Sequence, residues 1–330
     1  MYTIETRSLR KNFGDVTAVN DISFNVKEGE IFGFLGPNGA GKSTTLMILT
    51  TLLKPTSGQA LVAGYDVVKE ARKVRENIGY VQQETAVDEY LTGRENLYLE
   101  ARLNHIPTGE IDSRIDEILE LIELKEKQND PVVGYSGGMR KRLDIAGGLL
   151  HRPKVLFLDE PTVGLDIQTR RKIWEYLKKI HNEFNMTIFL TTHYMEEADQ
   201  LCDRIGIIDH GKIQAIDTPE NMKSALGNEV ISLEYTNQSD DFVSKIKQIE
   251  LVTKVKESAD VLTVFASKGT EVIPKIFQIA SDLKIQIDSI SLTRPSLDDV
   301  FVSYTGHELR DDESGFNRKR EHAKMKRLRA

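Results

Sequence analysis

Three runs of nearly unbroken apolar residues mark the first two thirds of the chain: EIFGFLG (30–36), KVLFLDE (154–160) and MTIFLTTH (186–193). Alternating with helical patterns, they predict a mainly parallel sheet flanked by helices. Polar residues close each of the last two runs, and that strand edge is where open α/β sheets bind ligands. A glycine-rich turn follows the first run and leads into KSTTLMILTTLL (42–53). This stretch is predicted helical up to Lys54-Pro55, where proline cannot donate the next backbone hydrogen bond. Between about 88 and 152 the pattern is helical, through LTGRENLYLEARLNH and EIDSRIDEILELIEL, and predicts a helical subdomain inserted between strands.

The texture changes after Asp217-Thr218-Pro219. EVISLEYT (229–236), LVTKVKES (251–258), DVLTVFAS (260–267) and QIDSISLT (286–293) read as strands, several with near-period-2 alternation. TEVIPKIFQIASDLKI (270–285) places Val272, Ile273, Ile276, Phe277, Ala280 and Leu283 at helical spacing, with Pro274 near its start. SLDDVFVSYTG (296–306) predicts a short helix closed by Gly306. The expected organisation is an α/β domain over 1–218, a small α+β domain over 219–306 and a charged tail over 307–330. The last 14 residues hold seven Lys/Arg against one Glu, which predicts a mobile tail.

Composition narrows the classes of function. The 330 residues are 39% hydrophobic and 29% charged, an ordinary globular balance. A net charge of −7 argues against a general nucleic-acid binder, so no specific nucleic-acid partner is expected. No apolar run approaches the roughly 18 residues that cross a bilayer, and MYTIETRSLRKNF lacks the core of a secretory signal. The single cysteine, Cys202, excludes an internal disulfide and is expected to be buried in a protein of a reducing compartment. A cytoplasmic location follows as an expectation, with any membrane role supplied by a partner.

Chemistry enters at GPNGAGKS (36–43), a match to G-x-x-x-x-G-K-[ST] between a strand and a helix. Gly36, Gly39 and Gly41 permit backbone geometries and close approaches that a Cβ would block. Successive N–H groups, those of Asn38, Ala40 and Thr44 among them, then form an anion nest at a helix N-terminus, and Pro37, which has no N–H, is expected to shape the loop against the phosphates. Lys42 is expected to reach the β- and γ-phosphates, and Ser43 to supply a hydroxyl to Mg²⁺. Asp159 ends the strand VLFLD on the same edge and suits Mg²⁺ ligation. Glu160, next to it, would polarise the attacking water as general base. These features define only a P-loop nucleoside triphosphatase expected to use Mg²⁺; that the nucleotide is ATP is what the resemblance below implies.

YSGGMRKRLDIA (135–146), shortly before the VLFLD strand, makes the resemblance more specific. It resembles the signature of ATP-binding-cassette (ABC) ATPases, usually LSGGQ followed by a basic helix. The resemblance implies a RecA-like core with antiparallel β and helical subdomains. It also implies head-to-tail pairing with a second copy, so that Ser136, Gly137 and Gly138 contact the γ-phosphate in trans. Gln83, in IGYVQQE, resembles the Q-loop glutamine that senses Mg²⁺ and couples to the membrane partner, with its neighbour Gln82 as the alternative. His193, in LTTHYMEEA, resembles the switch histidine. Asp166, in VGLD, resembles the D-loop aspartate, and Phe13 resembles the aromatic that stacks on adenine.

LTRPSLDDVFVSYTG (292–306) resembles the C-terminal motif of daunorubicin-resistance-type exporter ATPases. That branch implies a separate integral-membrane permease and a place on the cytoplasmic face of the membrane. A rival reading is a soluble cassette ATPase acting on ribosomes, DNA or protein complexes. One cassette without a sustained heptad run favours transport over that rival. The remaining histidines form no metal-ligand spacing, and Trp174 is expected to serve packing.

Overall fold

A computed structural model describes residues 1–227, 229–236, 240–258 and 261–306. The expected mobile tail over 307–330 lies outside the described residues. Among the described residues the chain divides into a compact unit over Met1–Ile216 and another that begins at Asp217 and runs to Gly306.

The first unit opens with β1 (Tyr2–Phe13), β2 (Val16–Lys27) and β3 (Ile31–Leu35), then α1 (Lys42–Leu49), β4 (Ser57–Val62), β5 (Tyr65–Asp66), α2 (Ala71–Glu76) and β6 (Ile78–Val81). The helical stretch follows as α3 (Gly93–Leu103), α4 (Thr108–Leu121) and α5 (Gly137–Gly147). The unit continues through β7 (Val155–Asp159), α6 (Ile167–Phe184), β8 (Thr187–Thr192), α7 (Met195–Leu201), β9 (Arg204–Asp209) and β10 (Lys212–Asp217).

Two sheets result, an antiparallel one in the order β2-β1-β4-β5 and a six-stranded one in the order β10-β9-β3-β8-β7-β6. Pairing along β9-β3-β8-β7-β6 is parallel throughout. Every residue of β3, β7 and β8 is buried, which is why their sequences run apolar instead of alternating. Phe24 of β2 stacks on Phe32 and Phe189 at centroid distances of 5.7 and 6.0 Å, joining the two sheets into one core.

One boundary differs from expectation. α1 ends at Leu49, short of the predicted 53. The Thr50 hydroxyl turns back onto the Leu46 carbonyl at 2.9 Å, and Thr51 takes a left-handed φ of 66°. Leu52 and Leu53 then donate their N–H groups to Met47 O, so local side-chain bonding ends the helix before proline can. α3 starts where Thr92 and Glu95 form a capping box.

The second unit comprises α8 (Pro219–Leu226), β11 (Glu229–Thr236), α9 (Asp240–Lys247), β12 (Val252–Ser258), β13 (Val261–Ala266), α10 (Gly269–Asp282), β14 (Gln286–Thr293) and α11 (Leu297–Thr305). Its antiparallel sheet has the order β12-β13-β11-β14. Leu233, Leu262 and Val264 meet Phe242, Ile246, Val272 and Ile276 in a separate core. Phe277 falls off that stripe and is 47% exposed. The PSLDDVF motif has a local physical meaning: Ser296 and Asp299 form a capping box, and Leu297, Val300 and Phe301 are buried.

Candidate functional site

The parallel strand order brings distant motifs to one edge. The phosphate loop leaves the C-terminal end of β3, His193 follows β8, Asp159 ends β7 and Gln83 follows β6. These four strands are consecutive neighbours in the sheet. A cleft of about 530 Å³ opens there, lined by Pro37, Asn38, Gly39, Gly41, Lys42, Ser43, Thr44, Gln83, Glu160 and His193. Gln82 is not part of the lining. Ala18 and Val163 complete the wall, and neither carries a polar side-chain signal that sequence reading could use.

The loop geometry follows from its glycines. Gly39 and Gly41 take φ of 83° and 103°, a region in which L-residues are strained. A Cβ on Gly36 would overlap the Ile208 carbonyl oxygen. Ala40 is buried behind the cleft, with its carbonyl accepting from Gly211 N at 3.0 Å. Lys42 folds its ammonium back to donate to Gly36 O at 2.7 Å and Pro37 O at 3.1 Å.

A buried charge cluster sits below the loop. Lys42 Nζ lies 3.1 Å from Glu160 Oε1, and His193 Nδ1 lies 3.2 Å from Glu160 Oε2. Burial alone would raise the proton affinity of Glu160; His193 and Lys42 outweigh it and hold the carboxyl below its ordinary value. Burial lowers the Lys42 pKa, with Glu160 and Asp159 opposing. Glu160 takes a left-handed φ of 46°, held by its N–H donating to Thr191 O at 3.1 Å and Thr191 Oγ1 at 3.0 Å. Such strain persists only where surrounding bonds over-determine it.

Ser43 Oγ donates to Asp159 Oδ1 at 3.1 Å, and Thr191 Oγ1 donates to the same oxygen at 2.6 Å. A hydroxyl and a carboxylate make a hard-oxygen pair of the kind Mg²⁺ uses together with water and substrate phosphates. No group of three or more His, Cys, Asp or Glu side chains that could hold a metal occurs among the described residues. Sequence reading missed Thr191, whose only signal was its position near the end of a strand facing Asp159.

Other expected site residues lie outside the cleft lining. Ser136 caps α5 by accepting from Met139 N at 3.3 Å, and both Ser136 and Gly137 are exposed. Gly138 is buried, and a Cβ there would overlap Thr169 Cγ2. Asp166 caps α6 by accepting from Thr169 N at 2.9 Å and Thr169 Oγ1 at 2.6 Å. Phe13 stands 48% exposed at the end of β1, with Lys11 Nζ 5.1 Å from its ring centre. Its ring is thus free of the core. Trp174 is buried and donates from Nε1 to Glu197 Oε1 at 3.0 Å. Cys202 is buried, which raises its thiol pKa well above the ordinary value.

A glycine-rich loop at a helix N-terminus, a buried Lys–Glu pair with a half-buried His beside it, and a separate glycine-opened helix are the parts of an ATP-binding and ATP-hydrolysing cassette. The chain belongs to the ABC transporter family of ATP-binding subunits, in the branch with a DrrA-like C-terminal domain. Residues 19–163 match the family "ABC transporter", and residues 218–305 match "ATP-binding protein DrrA1-3-like, C-terminal domain".

The chain is 39% identical over 311 residues to the linearmycin resistance ATP-binding protein LnrL of Bacillus subtilis, covering 93% of this chain and 100% of LnrL. It is 38% identical over 314 residues to the daunorubicin/doxorubicin resistance ATP-binding protein DrrA of Streptomyces peucetius, covering 93% and 94%. Among solved structures it is similar to cbiO1 of Clostridium perfringens, part of the ABC transporter complex cbiONQ, with a TM-score of 0.63 and 31% identity over 67% of this chain and 90% of that one. A dimeric ATP-binding cassette in a post-hydrolysis state bound to ADP and Pi matches with a TM-score of 0.58 and 30% identity over 65% and 98%. No helix among the described residues is long and apolar enough to cross a membrane.

Proposed function

We propose that this subunit powers a separate membrane permease of the drug-exporter type through ATP-driven head-to-tail dimerisation. One observation carries the reading. Lys42, Ser43, Gln83, Glu160 and His193 share a cleft, whereas the exposed α5 N-terminus at Ser136 and Gly137 lines no part of it. A helix N-terminus with free N–H groups suits phosphate, and pairing with a second copy would bring it to ATP held by the partner. The dimeric relative with ADP and Pi supports that pairing.

In this mechanism the phosphate-loop amides and Lys42 hold the β- and γ-phosphates, and Lys42 exchanges its Glu160 contact for phosphate oxygens. Ser43 and Asp159 would hold Mg²⁺, which neutralises charge on the phosphates. Glu160, which Lys42 and His193 hold ionised before ATP arrives, accepts a proton from the attacking water. His193 and Gln83 orient that water and the γ-phosphate, and exposed Phe13 offers a π-face to adenine. Hydrolysis removes the contacts made across the dimer, and the two states differ in affinity enough to drive motion.

The drug-exporter class is supported by the relatives LnrL and DrrA, named for linearmycin and for daunorubicin/doxorubicin resistance. An exposed apolar stretch on the helical subdomain offers the permease a surface: Tyr90 at 92%, Leu103 at 63%, with Leu99 and Tyr98 also exposed. Co-expression with a candidate integral-membrane permease, followed by detergent purification and an ATPase assay across candidate drugs, tests the reading. A co-purifying complex with drug-stimulated turnover is expected; failure to co-purify would overturn the transport assignment.

A further inference from the structure

We infer that Lys141 is a positioning residue that ties the Gln83 loop to the signature helix α5, so that each cleft governs the helix end offered to the partner's ATP. The inference deepens the dimer reading above and rests on it. Lys141 belongs to the basic stretch MRKRLD that follows the signature, where an exposed solvated face would be the ordinary role for lysine. It is instead 3% exposed. Its ammonium donates to Gln82 O at 2.6 Å and Gln83 O at 3.3 Å, with Asp144 Oδ2 3.5 Å away. One turn further along α5, Asp144 Oδ1 accepts from Ala86 N at 3.4 Å. α5 therefore grips the loop on both sides of residues 84 and 85.

The physical consequence is a shared motion. Two of the contacts that satisfy the buried ammonium are loop carbonyls. If the loop withdrew alone, a buried cation would be left with one carboxylate, and such charges are tolerated only when paired and hydrogen-bonded. Burial lowers the Lys141 pKa, with Asp144 and Asp159 opposing. Gln83 lines the cleft at one end of this link, and Ser136 opens the helix at the other. A shift of the loop on nucleotide binding would thus be carried along a rigid helix to the trans-facing end.

The test follows ATP-driven dimerisation by light scattering in full-length E160Q and E160Q/K141M with Mg²⁺. If E160Q itself forms no ATP-dependent dimer, the dimer reading falls. If E160Q dimerises and E160Q/K141M needs the same ATP concentration, only the present inference falls. The expected result is a rise of about 5-fold or more in the half-saturating ATP concentration, with binding of a fluorescent ATP analogue to the monomer changed by less than about twofold. K141R, which keeps the donors, should remain near the parent; impairment equal to K141M would overturn a donor role. If K141M does not fold, E160Q/D144N, which keeps the side-chain volume, must also raise the ATP requirement, and an unchanged value overturns the inference.

Discussion

Lys42 Nζ and Glu160 Oε1 lie 3.1 Å apart, both side chains below one tenth exposed. The lysine of the GPNGAGKS loop and the carboxylate next to Asp159 are therefore partners in the cleft that both line. Pairing favours the charged form of each group; for Glu160 it outweighs burial, whereas for Lys42 burial still lowers the pKa. The pairing also links catalysis to stability, because neither group can be removed without leaving the other buried.

E160Q removes the proton acceptor while keeping volume. ATP turnover should fall by about 10²–10⁴, with ATP binding retained and dimers accumulating. Phosphate release and analytical ultracentrifugation check both halves. Turnover at the wild-type rate would show that another group takes the proton.

K42M should abolish nucleotide binding and also lower the melting temperature. Breaking a buried pair by removing one partner costs on the order of 3–5 kcal/mol, and protonation of Glu160 would relieve part of it. K42M/E160Q should melt above K42M, because no unpaired charge remains. A double variant no more stable than K42M would deny the coupling.

Glu160 and Glu197 should respond oppositely to pH. Glu160 has a depressed folded pKa, so its contribution is present above the ordinary glutamate value of 4.5 and is lost as pH falls through the folded value. Glu197 is fully buried, accepts from Thr162 Oγ1 at 2.8 Å and Trp174 Nε1, and has its pKa raised by that burial. Its contribution is greatest below 4.5 and declines as pH rises toward the folded value. Melting curves of E197Q against wild type between pH 5 and pH 8 should therefore diverge in favour of Gln as pH rises. A gap that does not change with pH would refute this.

G138A should damage the signature without touching the phosphate loop. The new Cβ would displace Thr169, whose hydroxyl and N–H both bond Asp166. Overpacking of this kind costs about 1–3 kcal/mol. Nucleotide binding to the monomer should survive while ATP-driven dimerisation in the E160Q background weakens. Equal weakening of both would point to general misfolding.

The chain's chemistry was readable wherever it is local. GPNGAGKS declares a phosphate cradle because backbone conformation and N–H direction depend on the glycines themselves, and VLFLD-Glu160 declares an acidic strand end. The capping pairs Thr92–Glu95 and Ser296–Asp299 are equally local. β-rich runs marked the four strands of the second unit, several of them with near-period-2 alternation, because inward positions such as Leu233, Leu262 and Val264 pack into the core with the helices. What pattern cannot express is adjacency. Only the order β3-β8-β7-β6 puts residues 42, 193, 160 and 83 around one cleft, and no spacing along the chain encodes which strands are neighbours. Thr191 and Lys141 were invisible for the same reason. A strand threonine and a lysine in a basic run look solvent-facing until tertiary packing removes the solvent and leaves Asp159 and the Gln83 loop as their partners.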